Sequence, residues 1–152
     1  MKSPTQSNGA AVLTLTRPAD RPPAATLPIS ESTARLLGAA AVLSIAVIHI
    51  LDAVGTYQST RWIFWAYMAV IFASVPVALV LLHFASPLVW VAAGGVAAGP
   101  FLGYVWSRTI GLPGDAPDVG NWLCTLGMAA LFVEASLLSL SATRLVVWRR
   151  SR

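Results

Sequence analysis

The chain has 152 residues, 57% of them hydrophobic and 11% charged, with a formal net charge of +4. A soluble domain carries roughly 25% charged residues, and here the apolar residues gather into long runs, so a water-soluble fold is excluded and an integral membrane protein is left. The basic residues flank those runs, where membrane topology accounts for them, so nucleic acid is not expected as a partner.

Residues 1–30 hold Pro4, Pro18, Pro22, Pro23 and Pro28 and too little apolar surface to offset ordering entropy, which predicts a disordered tail. The segment AVLTLT at 11–16 is too short for the core of a signal peptide, so the tail is expected to stay uncleaved. Ser30, followed by Glu31, predicts the N-cap of a first helix with an acid in its first turn. Four apolar runs predict helices over about 31–54, 61–84, 88–107 and 121–148. At 1.5 Å per residue each can cross a hydrocarbon core about 30 Å thick. Residues 31–148 are therefore expected to form an all-α, integral membrane four-helix bundle, with 149–152 as a basic C-terminal tail.

Lys2, Arg17, Arg21 and Arg35 near the start, and Arg144, Arg149, Arg150 and Arg152 near the end, outnumber the arginines of the connections on the other side. The positive-inside rule then predicts both termini in the cytoplasm. Tyr57, Trp62, Trp65, Trp106 and Trp122 are expected at the outer interface, with Trp90 and Trp148 at the inner one. The connection from Arg108 to Gly120 is rich in turn residues and is expected to be compact, with Asp118 or Asn121 capping the fourth helix.

In helix three, Gly95, Gly99, Gly103 and Ser107 place a small residue at every fourth position, a helix-packing interface for another helix of the bundle, a second copy or a foreign subunit. Pro76 and Pro100 each remove an amide donor, freeing the carbonyls of Phe72 and Val96.

Glu134 lies inside an apolar helix, where an unpaired charge is costly, so it is expected to face the interior and to be paired or neutral. Counting residues puts it roughly 20 Å from the outer surface, level with Ser44, Ser74 and Gly94. The expectation is a mid-membrane polar layer in which Glu134 donates to a serine or to the Phe72 carbonyl, either as packing or as part of a proton path. Nearer the outer end, His49 and Asp52 are neighbours on one helix, and Tyr104 and Arg108 on another. Two readings arise: an Asp52–Arg108 ion pair with His49 beneath it, locking helices one and three, or a proton or small-solute site with His49 as the titrating group. The second requires His49 to border a water-filled pocket.

His49 and His83 are about 25 Å apart along the membrane normal, too far to share one haem. No third ligand accompanies His49 and Asp52, and Asp115, Asp118 and Asn121 lack the spacing of a calcium loop, so neither cofactor nor metal is expected. With no phosphate loop or nucleophile elbow, enzymatic activity is not expected either. Cys124, the single cysteine, is expected to pack inertly.

The combination WSRTIGLPG at 106–114 and LFVEAS at 131–136 resembles a group of small four-span membrane proteins of actinobacteria and related bacteria, over about residues 35–145. The resemblance implies a multi-pass protein of the bacterial plasma (inner) membrane and brings no activity with it. The role expected is that of a non-enzymatic accessory or assembly subunit, set in the lipid bilayer and meeting another membrane subunit or a second copy of itself. The alternative is a proton-linked small-solute transporter or proton relay using Glu134 with His49 and Asp52. A third reading is a redox subunit sharing a cofactor with a partner.

Overall fold

A computed structural model describes residues 29–84, 86–114 and 118–152; of the tail expected at 1–30, residues 1–28 lie outside them. The described residues form four helices: α1 (Glu31–Ser59), α2 (Arg61–His83), α3 (Pro87–Thr109) and α4 (Thr125–Arg150). All four are long and apolar enough to cross a membrane. No strand occurs among the described residues.

Short connections force successive helices to run antiparallel, so α1 packs on α2 and α4, and α3 on α4 and α2, with α1 and α3 touching across the diagonal. The start of α1 and the end of α4 therefore lie at one end of the bundle, the terminal end, and the α1–α2 and α3–α4 connections at the other, the loop end. Ser30 caps α1 as expected, its Oγ accepting from the Thr33 amide at 3.1 Å. At the same end Glu31 pairs with Arg144 of α4, and Arg35 Nε donates to the Leu81 carbonyl at 2.7 Å, satisfying part of the frayed terminus of α2. Pro87 opens α3, where its missing amide costs nothing.

The bundle is solid at its terminal end. Val42 and Ile45 of α1, Leu81 of α2, Trp90 and Ala93 of α3 and Leu137 of α4 form one buried cluster. Trp90, expected at the membrane interface, is buried in this cluster against Gly38, where an added Cβ would lie 3.0 Å from the indole. Outside, Leu36, Val54, Phe72, Leu88, Leu102 and Phe132 are exposed on all four helices, an apolar girdle suited to lipid contact.

Two boundaries differ from the sequence reading by more than two residues. α1 continues past Gly55 to Ser59, because the Thr56 hydroxyl bonds back to the Asp52 carbonyl at 2.9 Å and the Thr60 amide closes on Thr56 at 2.8 Å. α4 begins at Thr125, not Asn121, with Cys124 at its N-cap position and no side-chain cap. The expected cap by Asp118 or Asn121 is not made: Asp118 is turned toward Arg108, and residues 118–122 fold into tight turns in which the Gly120 amide reaches the Arg108 carbonyl at 2.9 Å. Gly111 and Gly114 take φ of 88° and 83°, left-handed conformations that explain glycine at these turns.

Candidate functional site

Above the solid half, at the loop end, the four helices enclose a cavity of about 640 Å³. Helix spacing that packs large side chains at one end is here lined by Gly99, Gly103, Gly127 and Ala130, whose small side chains leave the volume empty. The expected packing stripe therefore has a different setting. A Cβ built on Gly95, Gly99 or Gly103 meets nothing within 4 Å, so none of the described helices packs closely against those positions. Gly99, Gly103 and Ser107 border the cavity, whereas Gly95 is exposed beyond it. The close approach occurs instead at Gly127, where a Cβ would fall 2.3 Å from the Tyr104 ring.

The cavity collects the candidate residues His49, Asp52, Tyr104, Arg108 and Glu134. Glu134 is 0% exposed and His49 6%. His49 Nε2 stands 4.0 Å from Glu134 Oε1, beyond hydrogen-bond range. Among the described residues, neither carboxyl oxygen of Glu134 has a hydrogen-bond partner. The expected donation to a serine or to the Phe72 carbonyl is thus not made: Ser74 bonds to Val70 of its own helix, and Ser44 is exposed and bonds to Ala40. The revised boundaries account for the meeting. His49 lies ten residues from the end of α1 and Glu134 nine from the start of α4, depths of about 15 and 13 Å by helical rise.

The remaining geometry fixes the inner end of the cavity. His49 Nδ1 is 2.8 Å from the Ile45 carbonyl, which can only accept, so Nδ1 carries the proton and Nε2 of the neutral ring is an acceptor. The ring meets Tyr67 edge to face, with centroids 4.8 Å apart. The Tyr67 hydroxyl donates to Asp52 Oδ2 at 2.9 Å. Tyr67 was not among the sequence candidates; an aromatic within an apolar run carries no signal by itself, and only the register of α1 against α2 brings it to Asp52.

The expected Asp52–Arg108 ion pair is not formed. Arg108, 8% exposed, pairs with the Asp118 carboxylate and donates to Ser107 Oγ at 3.1 Å. Its guanidinium lies 4.6 Å from the centroid of the Tyr104 ring. Ten residues of chain separate Arg108 and Asp118, so the local partner reaches it before one on another helix can. Further contacts tie the α3–α4 connection down: Trp62 Nε1 donates to the Pro113 carbonyl at 2.8 Å, Thr60 to Gly114 at 3.2 Å and the Tyr104 hydroxyl to Trp122 at 3.1 Å. Cys124 borders the cavity half-buried.

His83 is exposed and bonds only to its own helix at Leu79. Among the described residues no three histidine, cysteine or acidic side chains converge as a metal site requires. No protein-family model, curated protein or solved structure matches the chain.

Proposed function

We propose that this is a proton-linked membrane protein whose cavity receives a small solute, with Glu134 as the carboxyl that gains and loses a proton and His49 as its neighbouring proton acceptor. The observation that carries the reading is the facing of Glu134 and His49 at 4.0 Å beside the cavity, with both carboxyl oxygens unpartnered among the described residues. An ionisable group inside a membrane protein is expensive to keep, and a carboxyl retained only for packing would have its hydrogen bonds made. Arginine placement supports an orientation with both termini in the cytoplasm, so the cavity faces outward. The bacterial plasma membrane is the proposed location. Four short spans leave little room for a complete path in one copy, so a homo-oligomer meeting across the exposed Gly95 and Gly99 face of α3 belongs to this proposal.

The experiment is proton movement into proteoliposomes carrying a lumenal pH dye under an imposed gradient. The expected result is a flux present with the natural chain and absent with Glu134→Gln. Equal fluxes from both would refute the assignment. A second reading, a non-enzymatic accessory subunit, is favoured by the same unoccupied face of α3, which a foreign helix could cover. Mild extraction from the native membrane separates the two: a co-purifying subunit supports the accessory role, and a homo-oligomer supports the proton-linked one.

A further inference from the structure

We infer that the solute class of this cavity is an organic cation: an ammonium or similar positive head on an apolar body, with the head seated at the inner end beside Glu134 and Asp52. The inference rests on the reading of the cavity as a solute site and adds the chemistry that the site selects.

Donors and acceptors at the inner end are strongly unequal. Glu134 offers two carboxyl oxygens that accept nothing. Asp52 adds a second carboxylate, one oxygen of which takes the Tyr67 hydroxyl. His49 turns its proton-bearing Nδ1 to Ile45 and presents Nε2, a lone pair, toward Glu134. The guanidinium bordering the cavity, Arg108, is engaged by Asp118 and Ser107. At the inner end an anion would therefore meet two acids and an imidazole lone pair, while the Arg108 guanidinium toward the loop end is already paired with the Asp118 carboxylate, with only its Nε left open. A positive head with N–H groups would meet acceptors on α1 and α4 and the aromatic ring of Tyr67, to which cations are attracted. Apolar side chains make up much of the remaining wall, with Ile48, Ile63, Val70, Leu112 and Leu126 available to cover a hydrocarbon or ring body. About 640 Å³ is within the ordinary range for a small-molecule site.

The step that links this class to protons is an exchange. A neutral Glu134 carboxyl releases its proton by way of His49 Nε2 to water as the ammonium arrives, leaving a carboxylate paired with the cation and a neutral imidazole; only O–H and N–H bonds are made and broken and no electron moves. The ionisable groups that line the cavity with Glu134 are His49 and Asp52 from α1, Tyr67 from α2, Tyr104 and Arg108 from α3, and Asp118 and Cys124 from the connection, with His49 the one at 4.0 Å from its carboxyl. Because protons compete with the cation for one carboxyl, binding weakens as pH falls and strengthens as pH rises.

The test uses the full chain in zwitterionic lipid nanodiscs, with empty nanodiscs as baseline and ethidium as the fluorescent probe. Ethidium is displaced by 1-naphthylmethylamine, a cation at neutral pH, or by 1-naphthylmethanol, its neutral counterpart of nearly equal size. The expected result is displacement by the amine at a concentration at least about tenfold lower than by the alcohol. In weakly buffered solution about one proton should be released per bound cation. The amine preference should vanish in Glu134→Gln and survive in Glu134→Asp, which keeps the charge. Failure of ethidium to bind, or equal displacement by amine and alcohol in the natural chain, overturns the cation class without depending on any variant folding. A Glu134-dependent proton flux in vesicles alongside that failure would leave the proton-linked reading standing; absence of both would remove both.

Discussion

His49 Nε2 faces Glu134 Oε1 across 4.0 Å, and its other nitrogen is fixed by the Ile45 carbonyl. The ring is thereby held in the one tautomer that turns an acceptor toward the carboxyl. Replacing His49 by Leu removes that acceptor. The expected outcome is loss of at least about tenfold in proton flux, the scale on which a positioned acid–base group contributes. His49→Gln, which keeps a polar group near Nε2, should retain part of the flux. Flux measurements on both variants, with folding checked by circular dichroism, decide the point.

Glycines of α3 and α4 should differ sharply in tolerance. A methyl group at Gly127 would collide with the Tyr104 ring, whose hydroxyl also holds Trp122. Gly127→Ala is therefore expected to destabilise by about 1–3 kcal/mol. Gly95→Ala meets nothing within 4 Å. Helix propensity favours that change by up to about 1 kcal/mol, so it should be neutral or mildly stabilising in a monomer. Thermal unfolding in detergent compares the two.

Gly103 borders the cavity and has open space at its Cβ. Gly103→Leu should project into the void, leaving the fold intact while weakening ethidium binding by at least about tenfold. Unchanged affinity in a folded Gly103→Leu protein would mean that ethidium sits elsewhere.

The Arg108–Asp118 pair holds the α3–α4 connection over the loop end. Arg108 Nε already lacks a partner, so Asp118→Asn leaves a nearly buried cation less satisfied still. The expected cost is about 1–3 kcal/mol, together with faster proteolysis between α3 and α4. Limited proteolysis followed by mass measurement checks both the rate and the cleavage site.

Much of the fold was legible because membrane spans announce themselves by composition: four apolar runs became four helices, and Ser30 became the cap of α1. Helix ends were harder. Gly55 reads as a stop, yet Thr56 and Ser59 satisfy their hydroxyls within the helix and let it continue. Asp118 reads as a cap, yet a neighbouring guanidinium binds a carboxylate more strongly than a helix terminus does. These shifts lengthen α1 beyond His49 and shorten α4 before Glu134, so the sequence count placed the two residues at different depths. The individual candidates were visible as rare polar residues in apolar helices; their partners depended on the register between helices, which no local pattern encodes.

The most direct measurement is the infrared spectrum of Glu134 in lipid, comparing the natural chain with Glu134→Gln in H2O and D2O. The account predicts a protonated-carboxyl band that is absent from the variant, shifts promptly in D2O through the cavity, and is lost when an organic ammonium is added. A carboxyl that fails to exchange with D2O, or a band indifferent to the cation, would contradict it.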